Sequence, residues 1–578
     1  MSGLRKPSEL RLAASQLRPY LVRASWFSLA TSLLLLMPTW YMLSVYERVV
    51  NSRSHMTLAM VTLLVVGAYV LMEVLVWVRS DLMFQSGLDL DRALSERVFV
   101  ALFEANLRKL PAMTSMALGD LRAIREFLSS SALLVVMEAP VSLVFLVAIF
   151  AISPVLGWAA AIAALFQVAL GWLNERSIQP AMAHASQAAY GANQYAEDML
   201  RNTQVIESMG MVGNIHRLWI SKQRDFLRHQ AIGSIRAGGF QALSKMTQTV
   251  VGSVLLGLSA WLLLHSKLNG GPGMLIAAGV LGGRLLTPLV QMVAQWRSIV
   301  GVRDSWTRLD ALLTALPPKP SNMPLPPPKG NLRVEEVIAT APTGGVAILK
   351  GISFDLAPGE VLAVVGASAA GKTTLARLLM GIWPANSGKV RLDGVDVYSW
   401  NKAELGPHVG YLPQNIELFN GTVSENIARF GEPDPDKVRA AATALGLHDY
   451  IMTMPLGYGS QVGTDGAILS GGFRQRVGLA RAIYGEPAFV VLDEPNSSLD
   501  EAGDLALTNT IASMKVRGTT FVINTHRTSV FSVSDKLLVL HEGRVQAYGP
   551  LGEVLAALKG ENGSPQASAQ PLPAIGAK

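Results

Sequence analysis

The sequence predicts a helical membrane domain of six transmembrane helices followed by an α/β domain built on a mainly parallel sheet. Three observations carry that prediction. Every apolar run of spanning length lies before residue 294, strand-like and helix-like runs alternate after residue 330, and the proline-rich stretch 316–330, LPPKPSNMPLPPPKG, divides the two. Composition agrees: half of the 578 residues are apolar and only 16% are charged, where a soluble globular protein carries about 25% charge. The mean hydropathy is +0.33. With no cysteine in the chain, disulfides, thiolate metal sites and cysteine nucleophiles are excluded.

A membrane helix needs about 20 predominantly apolar residues, and six segments provide them: 26–45, 57–78, 132–152, 155–173, 246–264 and 274–293. The first two form a hairpin across the short polar stretch 46–56. The third and fourth are joined by little more than Ser153 and Pro154, and the turn-forming stretch Asn269, Gly270, Gly271, Pro272, Gly273 precedes the sixth. Long polar stretches with charges at helical spacing, such as 89–109 and 187–228, connect the second span to the third and the fourth to the fifth. As helices rising about 1.5 Å per residue, they would project tens of ångströms beyond the bilayer. The segment 1–25 carries Arg5, Lys6, Arg11, Arg18 and Arg23 against a single acid, Glu9. The positive-inside bias therefore assigns it, both long hairpins and everything after the sixth span to the cytoplasm. A cleaved signal peptide is the alternative for the first span, but its apolar stretch is too long and lacks a small-x-small site. The membrane domain is thus expected at 26–315.

Glu73, Glu138 and Arg284 fall inside the spans, where a charge costs about 2.5 to 3.5 kcal/mol at the bilayer centre. They are expected to face a cavity or one another, with Arg284 the candidate for lining a path. The net charge of +7 and pI near 9.4 fit a basic segment beside anionic membrane lipid, so no nucleic-acid partner is expected.

The segment 316–330 is expected to be a stiff linker. In the α/β domain, 331–558, strand-like runs 361–365, 489–492 and 520–524 alternate with helical ones. The tail 559–578, rich in Gly, Ala, Pro and Gln, is expected to be disordered.

The chemistry sits in the second half. Directly after strand 361–365 come Gly366, Ala367, Ser368, Ala369, Ala370, Gly371, Lys372 and Thr373, then a helix opening at Thr374. This is GxxxxGK[ST] between a strand and a helix, where backbone N–H groups cradle phosphates, the lysine neutralises them and the Thr373 hydroxyl ligates Mg²⁺. A second apolar strand ends in Asp493 and Glu494. Asp493 supplies the acid that the Mg²⁺ side of a phosphate loop needs, leaving Glu494 to polarise the attacking water. Leu469, Ser470, Gly471, Gly472 and Phe473 open a further helix and make a second anion site.

With RAIYGEP, LDEPNSSLD and His526 following in order, these motifs resemble the ATP-binding cassette of ABC transporters. The resemblance implies an ATP hydrolase coupled to transport, with ATP and Mg²⁺ as cofactors. It implies nucleotide contacts from the loop through Thr374 and from Ser470, Gly471 and Gly472, a Mg²⁺ and water contact from Gln414, and a γ-phosphate contact from His526. The catalytic set would then be Glu494, His526 and Gln414, and the metal set Thr373, Gln414 and Asp493. In the membrane half, Tyr41 to Arg53 around YERVV, the string VIESMGM beginning at Val205, and GRLLTP beginning at Gly283 are similar to the inner-membrane ABC exporters of type I protein secretion. That subgroup implies a type I ABC exporter fold in a bacterial inner membrane, a homodimer, a periplasmic adaptor, an outer-membrane channel, and an unfolded protein substrate with an uncleaved C-terminal signal. The absence of cysteine and of a long segment before the first span is expected to exclude the leader peptidase that some exporters carry.

Four positions depart from the family pattern. Ala369 replaces a common glycine, Phe473 replaces the usual glutamine, Val462, Gly463, Thr464, Asp465 and Gly466 lack the frequent glutamate, and Ala341 aligns where an aromatic commonly stacks on adenine. Weak adenine selectivity is expected from the last. An exporter of lipid or small hydrophobic molecules with the same architecture is the alternative function; a non-transport ABC ATPase does not suit six spans.

Overall fold

The computed structural model describes residues 8–108, 116–265, 273–318, 324–341, 344–463 and 469–560. The chain divides into two compact units, one made of Met1–Asn106 with Leu110–Pro318 and the other essentially Lys319–Lys578.

In the first unit, α1 (Glu9–Gln16), α2 (Arg18–Leu34) and α3 (Met37–Ser44) lead through a π turn to α4 (His55–Leu107). Then come α5 (Ala117–Leu128), α6 (Ser131–Val141), α7 (Leu143–Ile152), α8 (Pro154–Leu200), α9 (Thr203–Ser208), α10 (Val212–Leu264) and α11 (Gly273–Ala315). Among the described residues, six helical stretches are long and apolar enough to cross a membrane: Arg18–Val49, His55–Leu107, Ser131–Ile152, Pro154–Leu200, Val212–Leu264 and Gly273–Ala315. Their apolar side chains face outward, as lipid allows and water does not; Leu63 and Trp77 are about three-quarters exposed. The long polar stretches are the same helices continued: α4 and α10 each run for 53 residues. Beyond the span, α4 changes character, burying Leu90, Leu94, Val98, Ala101 and Ala105 along one stripe at helical spacing. Residues 269–272 of the expected turn lie outside the described residues, and Gly273 opens α11.

Three expectations are modified. The basic N-terminal segment is packed and helical over much of its described part: Leu10, Ala13 and Leu17 pack with α4, α5 and α11, and the helix of the first span, expected from residue 26, already starts at Arg18. The intramembrane charges do not pair with one another. Glu138 meets Arg79, which the sequence reading placed just past the second span, at 2.8 Å, and Arg79 also donates to Ser28 at 2.9 Å. Glu73 is exposed, and Arg284 is half-buried with no ion-pair partner among the described residues. The linker, finally, is tethered at its far end. The N–H groups of Lys329, Gly330 and Asn331 all donate to the Asp393 carboxylate, at 2.6, 3.1 and 3.2 Å. Residues 319–323 and 561–578 lie outside the described residues, and the final helix, Leu551–Gly560, includes the first two residues assigned to the tail.

The second unit has two sheets. An antiparallel one has the order β2-β1-β4-β5, from β1 (Leu332–Thr340), β2 (Ala347–Leu356), β4 (Ser387–Leu392) and β5 (Val395–Asp396). The other has the order β10-β9-β3-β8-β7-β6, from β3 (Val361–Gly366), β6 (Val409–Leu412), β7 (Phe489–Asp493), β8 (Thr520–Asn524), β9 (Lys536–His541) and β10 (Arg544–Pro550). All its pairings are parallel except that of β10 with β9. Strands β7 and β8 are buried at every residue, as strands covered on both faces must be. In this order β8 stands between β3 and β7. The carboxyl ends of these strands therefore bring the phosphate loop and the two acids to neighbouring positions.

Candidate functional site

The loop after β3 owes its shape to close packing. A Cβ on Gly366 would lie 2.3 Å from the Leu540 carbonyl oxygen, and Gly371, at φ 103°, caps helix α12 (Lys372–Leu379) with no room beside Leu349. Ala369 sits at φ 65°, left-handed backbone that a glycine takes freely. The loop thus accommodates a Cβ at that position, at a conformational cost of about 1 to 2 kcal/mol. Ala367, Ser368 and Ala369 are exposed, whereas Ala370 and Thr374 are buried and Thr373 half-buried.

The Lys372 ammonium donates to the carbonyls of Gly366 (2.7 Å) and Ala367 (3.3 Å) and meets Nε2 of His526 at 2.9 Å. Burial holds this ammonium below the ordinary lysine range, with Glu494 and Asp493 pulling the other way. His526 Nε2 also lies 3.5 Å from Glu494 Oε1. One ring nitrogen cannot accept from Lys372 and donate to Glu494 together; the shorter contact makes it the acceptor here. Lys372, His526 and Glu494 therefore converge on one point.

Asp493 is buried to 1% exposure. Its Oδ1 accepts from Asn524 Nδ2 at 2.9 Å, and the same amide donates to the Lys372 carbonyl at 3.1 Å. Its Oδ2 has no partner among the described residues. A buried carboxylate oxygen left open beside a phosphate loop fits a Mg²⁺ ion held by Asp493, Thr373 and nucleotide oxygens. Such a site does not require three protein acids, and no cluster of three His, Cys, Asp or Glu occurs among the described residues. Glu494 sits at φ 53°, with its N–H bonded to the Asn524 carbonyl at 2.9 Å. Gln414 is exposed, two residues past Leu412, which pairs with Leu492 of β7, and makes no hydrogen bond among the described residues.

Ser470 accepts from the Phe473 N–H at 3.3 Å, capping helix α13 (Gly471–Ile483). A Cβ on Gly472 would lie 3.0 Å from the Ser498 carbonyl oxygen. The Phe473 ring is buried and lies 4.9 Å, centroid to centroid, from Tyr450, so this departure fills the core rather than offering a polar group. Ala341 follows β1 directly, its carbonyl accepting from the Gly344 N–H at 2.9 Å. Pro342 and Thr464, Asp465 and Gly466 lie outside the described residues.

Two residues were missed by sequence reasoning. Asn524 was read only as the end of a strand. Gln475, 1% exposed, donates to the Glu494 carbonyl at 3.1 Å and accepts from the Ser498 N–H at 2.8 Å, tying α13 to the loop after Asp493. A polar side chain at a core position of an amphipathic helix was the available signal.

Residues 349–497 match the ABC transporter family and residues 25–282 the ABC transporter transmembrane region. The type I secretion system ATP-binding protein PrsD of Rhizobium meliloti is 36% identical over 91% of this chain and 91% of its own. The ATP-dependent lipid A-core flippase of Chromohalobacter salexigens is 33% identical over 54% of this chain and 56% of its own. Among solved structures, a bacterial Atm1-family ABC exporter with ATP bound superimposes with a TM-score of 0.80 over 96% of this chain and 99% of its own; at 22% identity the likeness is one of fold.

Proposed function

The chain belongs to the ABC transporters, in the branch of type I secretion ATPases, and is an ATP-hydrolysing transporter of a bacterial inner membrane; from that premise we propose that two copies export an unfolded protein bearing an uncleaved C-terminal signal, together with a periplasmic adaptor and an outer-membrane channel. One phosphate loop and one Ser470-Gly471-Gly472 helix start per chain suit a pair of copies, each capping the nucleotide held by the other. On this reading the ATPase unit lies in the cytoplasm. Mg²⁺, held by Thr373 and Asp493 with Gln414 nearby, would neutralise the charge developing on the phosphates. When ATP enters, Lys372 exchanges its loop carbonyls and His526 for phosphate oxygens. That frees His526 for the terminal phosphate and leaves Glu494 to orient and deprotonate water.

The observation that favours a protein cargo over a lipid is the extent of the PrsD match, which runs through the membrane half at 91% of both chains, whereas the flippase match covers 54% of this one. The test deletes the C-terminal segment of a candidate cargo in cells carrying this chain, an adaptor and a channel, and follows the cargo in the medium. Loss of export is expected. Continued export of the truncated cargo, or export of a product cleaved at its N-terminus, would contradict the reading.

A further inference from the structure

Helix α1 straps the end of α11. Leu10 is fully buried, with Ala13 and Leu17, against Leu94 of α4 and Leu309 and Leu313 of α11. Beside this contact the Glu9 carboxylate accepts from Arg97 Nε at 2.7 Å and from Arg97 Nη2 at 3.3 Å, and Nη2 also donates to the Leu316 carbonyl. Leu316 is the first residue past α11, and its carbonyl belongs to the group that a helix end leaves without an intrahelical donor. A guanidinium there also meets the negative end of the helix dipole. The Arg97 side chain is 17% exposed and that of Glu9 29%, so the fork is sheltered from solvent and its geometry fixed. Residues far apart in sequence converge at the point where the chain leaves the membrane unit for the ATPase unit.

We propose that Arg97 is a positioning residue: by joining Glu9 to the Leu316 carbonyl it makes α1, α4 and the end of α11 move as one body, so that nucleotide-driven motion entering at Leu316 passes into the spans. A frayed α11 terminus would absorb that motion. Arg97 touches no residue of the nucleotide site, so ATP binding and coupling separate in its variants.

The cysteine-free chain allows a direct test on the full-length protein in lipid vesicles. One spin-label pair, Leu12→Cys and Thr314→Cys, reports the strap; a second, Leu63→Cys and Leu264→Cys, reports the spans. In the otherwise native protein the first pair should give one narrow distance in both the nucleotide-free and the ATP–orthovanadate states, while the second pair changes between them. Arg97→Leu should broaden the first distribution and blunt the change in the second, with the KM for ATP unmoved. A purely structural role would broaden the first pair and spare the second. Should Arg97→Leu fail to fold, Glu9→Gln and Arg97→Lys decide, because each keeps part of the fork. Unchanged distributions in these variants, a full response of the second pair without the fork, or no response of that pair in the native protein would each overturn the proposal.

Discussion

The Asn524 amide bonds Asp493 Oδ1 at 2.9 Å and, at 3.1 Å, the carbonyl of Lys372, so one side chain on the middle strand fixes the acid against the phosphate loop. Removing it leaves a buried carboxylate oxygen without its donor, a loss of roughly 1 to 3 kcal/mol. Asn524→Leu is therefore expected to lower thermal stability and to raise the Mg²⁺ concentration that half-saturates ATP hydrolysis. Thermal unfolding and a Mg²⁺ titration of turnover check it; no change in either contradicts the role.

Ala369 supplies a second prediction. Its left-handed backbone costs an alanine about 1 to 2 kcal/mol, while glycine loses about 0.5 to 1 kcal/mol in chain entropy. Ala369→Gly should then stabilise the protein slightly, by about 0 to 1.5 kcal/mol, and retain ATP binding. Ala369→Val should weaken ATP binding, because a β-branched side chain resists that conformation. Calorimetry with ATP compares the two, and a valine variant binding as tightly as wild type would refute the argument.

Nucleotide choice is a third. If Ala341 stands, as we propose, where the family places an aromatic, GTP should be hydrolysed within about tenfold of ATP, a difference of about 1.4 kcal/mol in barrier. A much larger preference for ATP would mean that another aromatic stacks on the base.

What the sequence made legible follows from distance along the chain. Spans announce themselves by composition, and strand, loop and helix around Lys372 are contiguous, so both were readable. The strap was not: Arg11, Arg18 and Arg23 read only as a basic cytoplasmic segment beside the membrane, while the burial of Leu10 depends on α11, some three hundred residues away. Arg79 looked like a polar flank until Glu138, 59 residues on, supplied its counter-charge. The role of Asn524 was hidden for the same reason, since its bond to Lys372 crosses 152 residues, whereas Gln475 could have been flagged as a polar side chain at a core position of its helix. Phe473 looked like a defect in a polar motif because a motif does not reveal which way a side chain turns.

The catalytic assignment gives a fourth prediction. With Glu494 proposed as the water-polarising carboxylate, Glu494→Gln removes it and keeps Asp493, so turnover should fall by about 10² to 10⁴ with ATP binding intact. Lys372→Ala should weaken ATP binding itself. Hydrolysis by Glu494→Gln close to the wild-type rate, or unaltered ATP affinity in Lys372→Ala, would contradict these roles.

The central claim, ATP-driven movement of a polypeptide, is tested most directly in vesicles containing only this chain with its ATPase unit outward. A fluorescent unfolded polypeptide ending in a C-terminal signal is added with Mg²⁺ and ATP, and its protection from external protease is measured alongside the flip of a labelled lipid. The account predicts protection that requires ATP, is lost with the signal and is abolished in Glu494→Gln. ATP-dependent lipid movement with no protection of the polypeptide would contradict it.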